Sequence, residues 1–461
     1  MSVERVSQLE SSKPRVVDLE HFLAKALVSP MAARQPKVTS PELSEKMSIG
    51  IFVTSLVPKA ASQARFQRAV FAGLQRLSAS RYSFTVFTFE TPKDSKNKGD
   101  INYVLIERHG RLIQTLLTWR RGAARTLAFA FKLVGLGNGR LRDILRDWMI
   151  YEPRYFKQLQ DRNIRLLWNL SQHELPTRLP YIRTIWDINH RIHSVYPEYS
   201  YTRYGFDGLD SNMAYSLGRA SYVIVGTEEG KRQLVSIYGV HDGKVRVIPF
   251  PTPVLECGMP EEVKKVILRD RYLFYPARLW PHKNHAVIIA ALKILRDKWK
   301  IEIRCVFCGA NEGNLDYLLR YAESLGVRDQ VEYAGTVDES ELVSLYKGAV
   351  ALVYASAVGP DNLPPLEAMS LGCPVITANV PGAQEQYGDG ALYFFPTKEE
   401  ELAERVRELL ESKGVRERLV TRGRYRAASW TVENYAEKVI SILDEFAAIA
   451  RCWERCDSFF S

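Results

Sequence analysis

From Met47 onward the chain alternates short apolar runs with longer amphipathic stretches, the rhythm of strand, crossover helix and strand in an α/β fold. In the first half this pattern predicts strands at Ser48–Ser55, Ser83–Phe89, Leu166–Leu170, Ile182–Ile185 and Tyr222–Gly226, with helices between them. The stretch "VRVIPFPTP" from Val245 to Pro253 then combines a strand end with three prolines and is the expected interdomain linker. Beyond it the rhythm restarts. "YLFYPA", "EIRCVFCG", "VEYAGTV", "VALVYAS" and "CPVITAN" read as five successive strands separated by helix-length segments, and Asp338-Glu339-Ser340-Glu341 is a capping-box pattern at a helix start. The pattern gives two doubly wound α/β domains. Residues 1–46 are expected to form a disordered extension, 47–248 a first domain, 249–430 a second, and 431–461 a helix crossing back to the first domain followed by a tail.

Length and composition agree with two ordinary cores. The chain has 461 residues, 46% apolar and 25% charged, which is normal for a globular protein but long for a single domain. Lys and Arg exceed Asp and Glu by 63 to 53, a balance that favours anionic partners such as nucleotides, phosphorylated lipids or an anionic membrane face. Nucleic acid is not expected, because no aromatic platform sequence accompanies the charge. GxGxxG and the Walker lysine loop are absent, which excludes the dinucleotide oxidoreductase and ATPase classes.

The N-terminal stretch has no uninterrupted apolar core behind a basic start, so no secretory signal is read there. "TLAFAFKLVGLG", Thr126 to Gly137, is broken by Lys132 and too short to span a bilayer, so the protein is expected to be cytoplasmic. The surrounding helical region, Arg111 to Met149, interleaves arginines with Leu, Phe and Trp. A solvated face is the first reading of it, and peripheral contact with anionic lipid at the inner membrane face the second. Six scattered cysteines fit a reducing compartment. Cys305 and Cys308 form a C-x-x-C on a strand, where the two side chains point to opposite faces, and Cys452 and Cys456 read as incidental thiols.

In doubly wound sheets, ligands bind outside the carboxyl ends of the strands. That rule selects the loops "ARLWPHKN", "GANEG" with Gly309, "GTV", "SAVGPDNLPP" and "NVPGA". Arg278 and Lys283 leave a strand end and precede a helix. Two fixed cations there suit a diphosphate leaving group, on whose oxygen negative charge develops as the bond breaks. Gly359 to Asn362 forms a turn exposing backbone donors, and Pro364 and Pro365 set the first turn of a helix. Glu367 lies in that turn, favoured by the helix dipole and placed to accept hydrogen bonds from ribose hydroxyls. No Asp-x-Asp pair stands at a strand end, so no metal and no cofactor is expected, and the cationic pair takes the metal's place.

"RLWPHKN", followed by "NLPPLEAMSLGCPVI" and "VPGAQEQYGDGALYF", resembles the retaining nucleotide-sugar glycosyltransferases of family 4, with the GT-B fold. The resemblance runs from Ser48 to about Trp430. It is nearest to bacterial members that read W-D-x-x-H-R and G-P-x-N-x-P-P-L-E, here "WDINHR" at Trp186–Arg191 and "GPDNLPPLE" at Gly359–Glu367. It implies a GT-B protein with two Rossmann-like domains facing a cleft. By the resemblance Arg278 and Lys283 bind diphosphate, Glu367 contacts ribose as the second glutamate of E-x7-E, and Val337 packs its backbone against the nucleobase. Gly309, Gly359, Asp361, Asn362 and Leu363 complete the donor set.

Two departures stand out. Position 359, the first glutamate of E-x7-E, is glycine, which leaves Asp361 or Asn362 to orient the sugar hydroxyls and removes the obvious nucleophile. Position 186 is Trp where the family has His, so His190 and Asp187 become the candidates facing sugar and acceptor, ahead of His193 and His173. The glycine-rich loop after the family's first strand is replaced by "TSLVPKAASQARF", without glycine. The implied reaction is same-face transfer of a hexose, mannose by family frequency, from a nucleoside diphosphate to a glycan or lipid-linked acceptor in cell-surface polysaccharide synthesis. The alternatives are a non-catalytic GT-B scaffold subunit and a GT-B sugar-nucleotide epimerase.

Overall fold

The computed structural model describes residues 46–54, 62–78, 81–90, 102–106, 153–171, 174–175, 177–200, 205–252, 255 and 271–453. The N-terminal extension, all of the basic stretch between 107 and 152, His173 and the tail with Cys456 lie outside the described residues.

The first sheet comprises β1 (Met47–Val53), β2 (Tyr82–Thr88), β3 (Asn102–Leu105), β4 (Leu166–Asn169), β5 (Tyr181–Thr184), β6 (Tyr222–Val225) and β7 (Val245–Val247). All neighbours pair in parallel, in the order β3-β2-β1-β4-β5-β6-β7. Its described helices are α1 (Ser62–Ser78), α2 (Pro153–Gln160), α3 (Asn189–Ile192), α4 (Pro197–Ser200), α5 (Gly205–Arg219) and α6 (Glu228–Tyr238). The second sheet comprises β8 (Tyr272–Pro276), β9 (Arg304–Cys308), β10 (Val331–Gly335), β11 (Ala351–Tyr354), β12 (Val375–Ala378) and β13 (Ala391–Phe394), parallel throughout in the order β10-β9-β8-β11-β12-β13. Between and after these strands run α7 (His285–Trp299), α8 (Leu315–Ser324), α9 (Glu339–Gly348), α10 (Pro364–Ser370), α11 (Ala383–Tyr387), α12 (Glu399–Glu411), α13 (Lys413–Ala428) and α14 (Val432–Ala450).

The central strands formed where the apolar runs are continuous, because parallel strands bury both faces: every residue of β4, β11 and β12 is buried. The pattern missed β3 and β13, and gave β7 only as the strand end that opens the Val245–Pro253 stretch. Each has three or four residues and none is buried throughout, so none carries a long apolar run. The five-strand expectation for the second sheet is thus corrected to six. The capping box at α9 is present: the Asp338 side chain accepts from the Glu341 N–H, and the Glu341 side chain accepts from the Asp338 N–H. Cys305 and Cys308 are buried free thiols, and burial pushes the Cys308 pKa up to about 11.

Both sheets reverse direction at one point, between β1 and β4 in the first and between β8 and β11 in the second. A crevice opens at such a switch point, where neighbouring crossovers leave on opposite faces. The loops after β8 and β11 are those that carry Arg278, Lys283 and Gly359–Leu363. Helix α14 returns to the first sheet, where Asp444 accepts from Arg81 at 2.7 Å and from the Tyr82 hydroxyl, and Glu445 pairs with Arg246 at 3.1 Å. An aromatic cluster joins α1, the segment after β5, the linker and α14. Trp186 lies 4.3 Å from Phe250 and 4.9 Å from Phe66 between ring centroids, and Phe66 lies 5.5 Å from Tyr435.

Candidate functional site

The wall supplied by the second domain is built from the loop after β8. Pro281–Lys283 forms a single 3-10 turn that opens on proline and feeds α7. The Lys283 Nζ lies 3.2 Å from the Tyr354 hydroxyl and 3.3 Å from the Ser356 Oγ, both at the carboxyl end of β11. The ammonium also stands 5.6 Å from the Tyr354 ring centroid, within cation–π range. None of these partners is anionic, so the ammonium keeps its charge available for a ligand. Arg278 differs: its guanidinium is 56% exposed and pairs with Glu312 at 3.1 Å, a surface contact that a stronger anion displaces at little cost. Gly309, after β9, donates its N–H to the Gly335 carbonyl at 2.8 Å and accepts from the Tyr333 hydroxyl at 2.7 Å. Val337, two residues beyond β10, packs half-buried against the second-domain core.

The loop after β11 is wound by its own side chains. Asn362 Oδ1 accepts from the Tyr354 hydroxyl at 2.8 Å, and its Nδ2 donates to the Gly359 carbonyl at 2.9 Å. Its backbone N–H donates to Gln386 Oε1 at 3.0 Å. Asn362 therefore holds the turn, which fixes the orientation of its amide. Gly359 has φ +106°, a region closed to L side chains, and a Cβ there would lie 3.1 Å from the Asn362 amide. This backbone path disfavours any side chain at 359, the position of the missing glutamate. Leu363 is buried and caps α10, with Pro364 at its first position.

Glu367 is only 1% exposed, and both its oxygens are engaged. Oε1 pairs at 2.7 Å with Arg65, which reaches across from α1 of the first domain, and Oε2 accepts from the Tyr346 hydroxyl at 3.0 Å. Burial alone would lower the Arg65 pKa, but the Glu367 carboxylate outweighs it and the net shift is upward. A second α1 cation, Arg68, lies 3.6 Å from Glu339.

Asp361 is the most unusual group. Neither carboxylate oxygen makes a hydrogen bond of full geometry, and the side chain packs directly on Gly226, just beyond β6, where a Cβ would collide with it. Burial, reinforced by the Glu385 carboxylate, holds its pKa well above the ordinary range; the Gly226 N–H and Thr227 hydroxyl offset this only in part. Glu385 itself receives the Glu228 N–H at 2.6 Å and so caps the start of α6 from the other domain.

The first-domain candidates divide. Asp187 lies near Asp361 and accepts from the Asn189 N–H at 3.0 Å, an Asx-type turn. The His190 ring is buried, with Nε2 2.9 Å from the Tyr238 hydroxyl, which itself donates to Asp210 at 2.7 Å. Burial lowers its pKa, partly opposed by Asp187 and Asp210. The imidazole ties α3 to α5 and α6. Trp186, at that histidine's position, is packed into the aromatic cluster. His193 lies near Asp187 and His282.

Three contributors had no signal in the sequence reading: Arg65, Gly226 and Glu198. Glu198, on α4, lies buried against the second domain, where its Oε1 accepts from the His282 N–H at 2.9 Å and contacts His282 Nδ1. A separate cleft of about 790 Å³ opens between the start of α6 and the 379–385 loop, but neither Lys283, Arg278 nor Glu367 lines it. Among the described residues no cluster of His, Cys, Asp and Glu has metal-holding geometry. No described helix is long and apolar enough to cross a membrane.

Residues 260–426 match the family model described as "Glycosyl transferases group 1". An O-antigen chain mannosyltransferase of Salmonella typhimurium is 29% identical over 187 residues, which cover 40% of this chain and 49% of that protein. O-antigen chain mannosyltransferase B of Escherichia coli is 24% identical over 240 residues, covering 50% and 63%. The chain therefore matches about half to two thirds of the length of these relatives. Among solved structures, sucrose-phosphate synthase from Thermosynechococcus elongatus superimposes with a TM-score of 0.61 at 16% identity, covering 88% of this chain and all of that one, a likeness of fold alone. The molecule thus has the GT-B fold, two Rossmann-like domains, and its second domain carries a glycosyl transferases group 1 match that contains Lys283, the 359–363 turn and Glu367.

Proposed function

We propose that the protein is a retaining, metal-independent glycosyltransferase that moves mannose from a nucleoside diphosphate, GDP by preference, to a glycan or lipid-linked acceptor in cell-surface polysaccharide synthesis. The observation that carries this reading is Lys283. Its ammonium stands at the switch point of the second sheet, held by two neutral hydroxyls and within the group 1 match. The two mannosyltransferase relatives support the sugar.

In this reading Lys283 and Arg278 take the charge that develops on the diphosphate as the bond from the anomeric carbon to phosphate oxygen breaks. A new bond forms from that carbon to the acceptor hydroxyl oxygen, and the hydroxyl proton passes to the departing phosphate oxygen on the same face. Gly359 leaves no carboxylate at its position to act as nucleophile, which favours this path over double displacement. Glu367 takes the ribose diol when Arg65 yields its place on Oε1. The domains must part for the nucleoside to enter, because the carboxylate is shut in, and close again over it with Arg65 displaced.

The test is NMR of a reaction containing GDP-mannose and a mannose-terminated glycan. An α-linked product with release of GDP supports the reading. A β-linked product rejects retention. Isomerised donor without acceptor modification identifies an epimerase, and intact donor with bound nucleotide identifies a scaffold.

A further inference from the structure

The turn that carries Lys283 is fastened at three points, and one of them belongs to the other domain. The His282 carbonyl accepts from the Ala357 N–H at 2.9 Å, which ties the turn to the loop leading into Gly359. The Lys283 carbonyl accepts from the Tyr275 hydroxyl at 2.7 Å. The third tie is Glu198, whose Oε1 receives both the His282 N–H and, through Nδ1, its ring. The contact is buried on both sides: the Glu198 side chain is 5% exposed and that of His282 is 10% exposed. Burial, with the adjacent Lys283 ammonium and His193, lowers the His282 pKa, and because the carboxylate accepts, Nδ1–H is the donor. Tyr199, the next residue on α4, stacks on the imidazole with centroids 5.4 Å apart and planes inclined by 25°. Tyr199 in turn bonds the Asn189 side chain, whose backbone is held by Asp187.

We infer that Glu198 is a positioning residue: from the first domain it fixes the Lys283 turn, so that the ammonium is aligned for a nucleoside diphosphate only when the domains are together. This rests on the transferase reading for the identity of the ligand. The physical reason is specific. A cation on a four-carbon stem stabilises a developing charge only if its turn does not move, and a misplacement of about 1 Å costs roughly a hundredfold in rate. Second-domain bonds alone fix the turn relative to β8 and β11 but leave it independent of domain closure. Glu198 supplies that dependence.

The test compares the full chain with Glu198→Ala and Glu198→Gln in two measurements. The first needs no ligand: hydrogen exchange over residues 279–285. Glu198→Ala is expected to quicken exchange there by about tenfold, the effect of losing one such tie, while α8 and the β9 core stay unchanged. Glu198→Gln, whose amide oxygen still accepts from both donors, is expected to exchange as the wild type does. The second is turnover of GDP-mannose: Glu198→Ala is expected to lose about a hundredfold in kcat with a smaller change in KM, and Glu198→Gln to recover most of it. Unchanged exchange in Glu198→Ala, or an equal loss in Glu198→Gln, overturns the inference. Absence of turnover in the wild type overturns the transferase reading instead, and the exchange result tells the two failures apart.

Discussion

The two walls of the cleft are built in opposite ways. The second-domain wall carries its chemistry within two loops at one switch point, where Lys283, Tyr354, Ser356 and the Gly359–Leu363 turn bond one another. The first-domain wall contributes separate residues that act by reaching across: Arg65 to Glu367, Glu198 to His282, and Gly226 under Asp361. The second wall is bonded mostly within itself, with Glu198 as an outside tie on the Lys283 turn, and the first wall acts through its partner. The bonds within the local loops survive domain motion, whereas the contacts between walls, Glu198 to the Lys283 turn among them, form only when the cleft is shut.

The largest effect should come from cutting the cross-wall ion pair. Arg65→Ala leaves Glu367 buried beside Tyr346 without its cation, a defect that costs about 3–5 kcal/mol where the carboxylate stays buried. Denaturant unfolding should show that loss. A cost under about 1 kcal/mol would mean that Glu367 reaches water by parting of the walls, and that the two are weakly coupled.

A middling effect is expected from restoring the family's residue on the second-domain wall. Gly359→Glu forces a side chain onto a backbone at φ +106° beside the Asn362 amide, at a cost of about 1–3 kcal/mol of strain. It should lower the melting temperature and should not raise turnover. A gain in turnover would show that the 359–362 turn rewinds and is less self-determined than the structure implies.

The smallest effect concerns Asp361. Its native pKa is raised by burial and by Glu385, so the folded state keeps its proton to higher pH than the unfolded chain does. The stability this gives is complete below the ordinary carboxylate value, about pH 4, and is lost as pH rises towards the native value. Asp361→Asn should therefore melt higher than wild type at pH 7–8, with the gap narrowing towards pH 4. A gap independent of pH would mean that the carboxylate titrates normally and that the walls are not closed over it.

The second wall was legible in the sequence because strand runs, proline turns and the capping box are local signals. The position of Lys283 at a strand's carboxyl end followed from the strand pattern, and the departure at 359 was visible even though the backbone angle there was not. That angle goes with the Asn362 bonds, which spacing does not encode. The first wall was mostly illegible. A single glutamate in "VYPEYS" and an arginine in "SQARF" look like solvated residues until the fold brings them to partners 84 and 302 positions away. The Tyr238 partner of His190 was illegible for the same reason, since a histidine near a strand end looks alike whatever its ring bonds.

The most direct test of the central claim, that Lys283 heads a nucleoside diphosphate site, is thermal unfolding of the wild type and Lys283→Ala with GDP, UDP, ADP and their sugars. Ligand binding to the native state raises the midpoint by mass action, whatever the acceptor. The account predicts that one base, GDP first, raises the wild-type midpoint and that Lys283→Ala, equally folded without ligand, loses the shift. An equal shift in both proteins would contradict it.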